Sequence, residues 1–507
     1  MTMMQSRRGL LGSSALMLGA AMLPARAFGQ RIDTTKYRVV SGIDVPLPYL
    51  GSVKPRSTAE ISGSNWLLGC EVLDRDYADY DQYKEYIAPL GIKRLRMQGG
   101  WAKTEKVKGV YDFAWLDHII NDAHSRGFQP WLQTSYGNTN YPGGGGTNLS
   151  AGLPTSPEAL AAYDKWVVAM VTRYKDKVVD WEVWNEPNFG DNILNSPEMT
   201  VDFNIRTAEI IKRIQPNARI SGLALGHYNE RWVERFFAGL GAKKKFGLFH
   251  NITYHDYTYN PDGNRLEVTR LRQQLDKYAP GMPLRQGENG APSGAGGGRG
   301  ALWDYPWSEL TQAKWNLRRM LGNLGQDIES SIFGLSEMAY NAEPINRLNF
   351  KGMLRIDGDK KVIRPKSAYY AVQNMTAIFD DRLDRIKELQ ELHTIAAAGP
   401  KDNAFRHSTD RDLAFFGYRH KATGKHAYSI WQRENIPAES NAVSLQEIML
   451  TNADFDAPVW IDLITGAVHE VPATQWKREG MLTTFTGIPV YDAPIVLADK
   501  SLVGINT

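Results

Sequence analysis

Two glutamates are the residues best able to do chemistry. In VDWEVWNEPNFG (Val179–Gly190) an apolar and aromatic run stops on Asn185, Glu186 and Pro187, and in RQGENG (Arg285–Gly290) Glu288 stands between Gly287 and Gly290, which leave the backbone free to turn sharply. A single glutamate closing such a run is ordinarily a salt-bridge partner or an aid to a helix N-terminus. Two of them facing one cavity suit cleavage of a glycosidic bond: one acid protonates the departing oxygen while the other attacks or supports the cationic anomeric carbon. That division of work requires their proton affinities to be driven apart. Asn185 beside Glu186 can hydrogen-bond a sugar hydroxyl, Pro187 stiffens the turn that aims the acid, and Arg96 is the candidate cation that keeps the second carboxylate ionised.

The elements that must hold these residues follow a repeating pattern. Short apolar runs alternate with longer amphipathic ones from Asn65 to about Tyr340, and strands are expected at Asn65–Val72, Ile92–Gln98, Phe128–Thr134, Val178–Trp184, Ala218–Leu225, Asn251–Tyr257, Pro283–Asn289 and Ser330–Met338. Between them lie helical patterns such as Ser156–Lys177, with Ser156 as N-cap, Pro157 in the first turn, and Leu160, Tyr163, Val167, Met170 and Tyr174 on one face. Eight strands in this rhythm predict an α/β fold, a (β/α)8 TIM barrel over residues 63–379. Barrel sites gather at the C-terminal strand ends. Glu186 closes the fourth strand and Glu288 the seventh, across the mouth from each other. A last helix is expected at Ser367–Phe379, and the period-2 runs beyond it predict a C-terminal antiparallel β-sandwich over 380–507. Residues 28–62 are an N-terminal segment in which Tyr37–Leu50 is expected to add a strand to that sandwich.

Residues 1–27 read as a twin-arginine signal peptide: Arg7 and Arg8 lead an apolar stretch through Leu23, and Ala25-Arg26-Ala27 offers small residues at a cleavage site. The implied location is periplasmic or secreted, with the twin-arginine export machinery as a partner and no membrane association after processing. Losing Arg7, Arg8 and Arg26 from 59 basic residues leaves as many as the 56 acidic ones. A neutral chain has no global field for nucleic acid or anionic lipid. Cys70, the only cysteine, excludes intrachain disulfides and cysteine-based metal or haem sites. His-x-x-x-His spacing is missing, and no cofactor or metal is expected.

WEVWNEPN (Trp181–Asn188), together with Glu288 in RQGENG, resembles the acid/base and nucleophile motifs of the clan A glycoside hydrolases, retaining enzymes on (β/α)8 barrels. Within the clan it is most similar to family 39, over roughly residues 63–375. The resemblance implies an O-glycosyl hydrolase with Glu186 as general acid/base, Glu288 as nucleophile, Asn185 as hydroxyl anchor, and His255 and Tyr257 as sixth-strand groups near the nucleophile. The substrate class it implies is an oligo- or polysaccharide or a small glycoside. Val179 and Trp181 stand where the family pattern has Trp and Phe, and the eighth-strand Trp that lies under the sugar is absent from IFGLSEMAY (Ile332–Tyr340). Glu337 and Trp303 are the candidates to do part of that platform's work. A retaining pair should stand about 5–5.5 Å apart, an inverting one roughly 6.5–9.5 Å.

Trp101, Tyr136 and Tyr141 lie just past the second and third strands, where aromatic faces can stack on sugar rings or merely anchor loops. Glu182 shares a strand face with Trp184 and is expected to be buried, paired with Arg94 or Arg96, and structural. Gly296–Ala301 formally fits a dinucleotide fingerprint, but no strand leads into it. Two other classes compete with hydrolysis: a non-catalytic carbohydrate-binding protein on a decayed barrel, and a cofactor-loaded periplasmic oxidoreductase.

Overall fold

The computed structural model describes residue 43 and residues 45–507 apart from 149–151, 190–194, 264, 295–299, 343–344, 396–412 and 434. The predicted signal peptide and most of the Gly296–Ala301 tract lie outside the described residues.

Alternation along the strands sets the architecture. In RLRMQ, Leu95 and Met97 join the apolar core outside the barrel wall, while Arg94 and Arg96 reach polar partners on strands across its interior. The strands are β1 (Tyr49–Val53), β2 (Trp66–Gly69), β3 (Arg94–Gln98), β4 (Gln129–Gln133), β5 (Asp180–Glu182), β6 (Arg219–Leu225), β7 (Asn251–Tyr254), β8 (Leu284–Gln286) and β9 (Glu329–Ile332). β2 to β9 close a barrel in chain order, every neighbouring pair parallel. The eight predicted barrel strands are therefore present, most of them shorter than expected, and the predicted fourth and seventh are β5 and β8.

Helices cover the wall. The one at Pro157–Tyr174 starts where its sequence indicates, with Ser156 Oγ accepting from the Ala159 N–H at 3.1 Å, and it buries Tyr163, Trp166, Val167, Met170 and Tyr174. After β9 comes an antiparallel hairpin of β10 (Met338–Ala342) and β11 (Ile345–Asn349), then the buried helix Ser367–Ile378. Beyond it an eight-stranded and a four-stranded antiparallel sheet form the C-terminal region. β1 pairs with Ala467–Glu470 and with Ile505–Asn506, so the larger sheet takes strands from well-separated parts of the chain. Buried charges tie these sheets to the barrel. Lys314 of the helix Glu309–Leu324 donates to the carbonyls of Ala438 (2.7 Å) and Ser440 (2.9 Å) and pairs with Asp492 at 2.5 Å. Among the described residues no helix is long and apolar enough to cross a membrane.

Candidate active site

β5 leaves the sheet at Glu182, and two turns of the chain then aim Glu186. Trp184 and Glu186 both take left-handed backbone angles, φ 65° and 47°, a costly conformation for residues with a Cβ. It is held by neighbours: the Glu186 N–H donates to the Ala224 carbonyl (2.9 Å), while Asn188 accepts from the Gly226 N–H and donates to the His227 carbonyl, both at 2.8 Å. Gly226 keeps this approach open, since a Cβ there would stand 3.0 Å from that of Glu186. The Asn-Glu-Pro-Asn turn is thus clamped to the end of β6.

Glu288 follows β8 from the facing side. Its Oε1 accepts from the Tyr257 hydroxyl at 2.7 Å and its Oε2 from Arg96 Nη1 at 2.9 Å. Burial alone would raise the Glu288 carboxyl, but His255, Arg96 and the Tyr257 hydroxyl together hold it below the ordinary range. Glu186 keeps one close polar neighbour among the described residues, His255 Nδ1 at 2.8 Å from Oε1. The same ring nitrogen lies 3.6 Å from Glu288 Oε2. One oxygen of Glu186, one of Glu288 and a His255 nitrogen all lie within 4.8 Å of one another. Three such donors can in principle chelate a cation; here the guanidinium of Arg96 already sits against Glu288 and opposes a second positive charge.

Arg96 organises the floor. Its Nε pairs with Glu182 (2.8 Å), Nη1 with Glu71 and Glu288 (2.9 Å each), and Nη2 donates to Asn185 Oδ1 (2.9 Å). While the His255 ring is neutral, its Nε2 faces Arg96 Nη2 at 3.3 Å and must be the acceptor, which leaves Nδ1–H to donate to Glu186. Burial lowers the proton affinity of His255, yet Glu288 and Glu186 raise it past the usual imidazole value. Asn185 Nδ2 is buried and has no partner among the described residues, so the amide holds a donor in reserve beside the acids.

Residues 53–276, a stretch that includes Glu186 and the barrel strands β2 to β7, match the model of the glycosyl hydrolases family 39. The chain is a glycosyl hydrolase, and over that stretch it is similar to family 39. Solved structures share its fold. A family 39 glycoside hydrolase from Bacteroides cellulosilyticus WH2 is 16% identical with a TM-score of 0.58, covering 86% of this chain and 81% of its own. A monomeric β-xylosidase from Caulobacter crescentus CB15 is also 16% identical, with a TM-score of 0.56, covering 89% and 97%. The family 39 enzyme from Xanthomonas axonopodis pv. citri is 14% identical, TM-score 0.54, with the same coverage. No curated protein matches the chain.

The supporting residues of this glycosyl hydrolase divide. Asn185, His255, Tyr257 and Arg96 converge on the two acids, Arg96 from behind, since it is fully buried. Glu182 is buried and bound to Arg96, as its strand face indicates. Tyr136 packs edge-on against Trp184, under the Arg75 guanidinium, and burial together with the Glu288 and Glu186 charges drives its phenol upward, which places it by the acids. Two expectations, for Trp101 and Glu337, need correction. Trp101 faces no cleft: it is walled in between Tyr141 and Trp166, and its Nε1–H donates to Glu105 at 2.6 Å. Tyr141 is the other side of that stack and bonds Glu105 as well. Glu337 is sealed, with Oε1 paired to Lys366 at 2.8 Å and Oε2 accepting from the Ile356 N–H, so no oxygen is left for a sugar. Trp303, the other substitute for the missing platform, is 53% exposed and joins none of the hydrogen bonds of the acid cluster.

Two contributors escape a strand-by-strand reading. Glu71 lies just past β2 in LLGCEV, where it passes for one more residue of a strand. Lys351 follows β11; its residue is 3% exposed, and its amine has no hydrogen-bond or ion-pair partner among the described residues and stands 5.4 Å from the centre of the Tyr257 ring. Burial pulls it to about 8 against the attraction of Glu288. No local motif marks a lysine that arrives from a hairpin added after the eighth barrel strand.

Proposed function

We propose that this protein cleaves O-glycosidic bonds by double displacement, with Glu186 as acid/base and Glu288 as nucleophile, in the periplasm or outside the cell after loss of residues 1–27. The observation that carries the proposal is the asymmetry of two carboxylates, one oxygen of each lying within 4.8 Å of the other. Glu288 is fixed through both oxygens by donors that favour its anion; Glu186 has one close polar neighbour among the described residues, and its other oxygen is left for the departing group.

In the first step the Glu186 proton passes to the glycosidic oxygen as Glu288 attacks the anomeric carbon, and the bond to the leaving alcohol breaks. A glycosyl ester on Glu288 remains. Glu186, now a carboxylate, takes a proton from water, whose oxygen attacks the same carbon and frees Glu288. Two inversions return the starting anomeric configuration. Asn185 Nδ2 is placed to donate to a sugar hydroxyl, and its Oδ1 is pinned by Arg96 and by Gln133 at 3.3 Å. The spacing supports the retaining arrangement over the wider gap an inverting enzyme needs for its water.

A panel of aryl glycosides tests this. Glu288→Gln should lower kcat/KM by about four orders of magnitude, and Glu186→Gln by roughly 10²–10⁴ with the smaller loss on the most activated leaving groups. The first product seen by NMR should keep the substrate's anomeric configuration. Wild-type turnover in Glu288→Gln would remove the nucleophile from the scheme.

A further inference from the structure

Arg96 is one cation among three buried carboxylates, Glu71, Glu182 and Glu288. Three buried anions around one guanidinium are costly, and the carboxyl with the fewest donors is the one best suited to keep a proton. The donors each receives decide which. Glu182 accepts from Arg96 Nε (2.8 Å), Gln133 Nε2 (2.9 Å) and Thr253 Oγ1 (2.8 Å). Glu288 accepts from Arg96 and Tyr257, with His255 Nδ1 at 3.6 Å. Among the described residues the one side chain that donates to Glu71 is Arg96, from Nη1 to Oε1, and the buried Oε2 has no partner.

That oxygen occupies space reserved for it. β2 ends on Gly69, where a Cβ would stand 2.3 Å from Glu71 Oε2, and Gly334 leaves the far side open at 4.0 Å. The titratable and charged groups around Glu71 are Arg96 on β3, Glu288 after β8, Tyr257 after β7, Cys70 beside it and Tyr83 from the short helix Tyr80–Tyr83. Arg96 is the one cation among them.

The geometry points to Glu71 as a positioning residue that works as a neutral carboxylic acid, storing the proton that lets Arg96 direct its charge to the nucleophile Glu288 and to Glu182. Burial first, and then the Glu288 charge, raise the Glu71 carboxyl to about 8 against the pull of Arg96. Above that pH a second anion gathers on Arg96 Nη1 and competes with Glu288 for the same nitrogen. The sign of the stability effect follows. A carboxyl raised from 4.5 to about 8 on folding contributes stability that is complete below pH 4.5 and lost as the pH climbs to about 8.

The test is the full-length Glu71→Gln protein, an isosteric neutral side chain, set against wild type. In infrared spectra the wild-type-minus-variant difference should show a protonated carboxyl band at pH 6 that disappears as the pH passes about 8. The Tm advantage of the variant should grow between pH 4.5 and 8 and then level. The activity arm alone rests on the double-displacement reading: kcat/KM should stay within about threefold of wild type at pH 6, and the variant-to-wild-type ratio should rise above pH 8. No Glu71 carboxyl band at pH 6, a Tm difference flat across that window, or a variant that fails to fold would each overturn the proposal. If Glu288→Gln instead turned over normally, the hydrolytic scheme would fall while the infrared and thermal arms still judged Glu71.

Discussion

The barrel interior holds two layers of charge, and they are built in opposite ways. Toward the N-terminal end of the strands, Arg94 and Arg285 share the single carboxylate of Glu329, at 2.5 and 2.7 Å. Burial would raise Glu329, but the two guanidinium groups hold it at about 2. One turn of the strand higher, the lone Arg96 meets Glu71, Glu182 and Glu288. Trp131 separates the layers, its ring 4.8 Å from the Arg285 guanidinium and 5.3 Å from that of Arg96. Arg94 and Arg96 are the same residue type on the same face of one strand. What differs is the balance: cations in excess satisfy a carboxylate completely and leave nothing to react, whereas carboxylates in excess force protons to be shared, the condition acid/base chemistry needs.

Removing each arginine is the strongest way to break that comparison. Arg96→Met should lower kcat/KM by about 10³ or more, because it frees the nucleophile and strands buried anions. It should also cost about 3–5 kcal/mol in urea unfolding. Arg94→Met leaves Glu329 with Arg285 and with a side chain 42% exposed to water. The expected cost is about 1 kcal/mol or less, with kcat/KM within about threefold of wild type. Equal losses of activity in the two variants would mean that the layers do not differ in function.

Tyr257→Phe sharpens the same point with a smaller change. It takes one donor from Glu288 and leaves Arg96 in place. A hydrogen bond to a charged group is worth about 1.5–3 kcal/mol, so kcat should fall roughly 10- to 100-fold with little change in KM. Because the Tyr257 hydroxyl helps hold the Glu288 carboxyl down, the acid limb of the kcat/KM profile should move to higher pH in the variant. An unmoved limb would show that Arg96 and His255 alone set the ionisation of the nucleophile.

Much of this was open to a reader of the sequence, and the remainder hid for physical reasons. Periodicity revealed eight strands because each buried run is bounded by helical spacing, and the period of two along β5 already put Glu182 inward against an arginine. The ends were overextended where the site begins: the run Val178–Trp184 is a strand only over Asp180–Glu182, since Trp184 turns left-handed to launch Glu186. Glu71 escapes such a reading because an acid inside LLGCEV obeys the strand pattern and its partner Arg96 comes from β3. The Glu337–Lys366 pair crosses 29 positions that nothing local connects. Trp101 reads as a loop residue because the four-residue helix Trp101–Thr104 is too short to show a period.

Trp101 supplies the last and smallest expected effect on catalysis, and it separates an aromatic that serves the sugar from one that serves the fold. Its indole N–H donates to Glu105, whose oxygens also receive the Gly109 N–H and the Tyr141 hydroxyl, and Glu105 itself is fully buried. Trp101→Phe keeps a ring between Tyr141 and Trp166 but leaves a buried carboxylate oxygen one donor short. The expected loss is about 1–3 kcal/mol of stability, read by urea unfolding, with KM for every aryl glycoside within about twofold of wild type. A sugar platform would behave in the opposite way, with KM rising several-fold on loss of stacking area and stability nearly unchanged. A rise in KM without destabilisation would therefore reopen the stack as part of the cleft and move the boundary between supporting and substrate-facing residues outward from the layer that Arg96 organises.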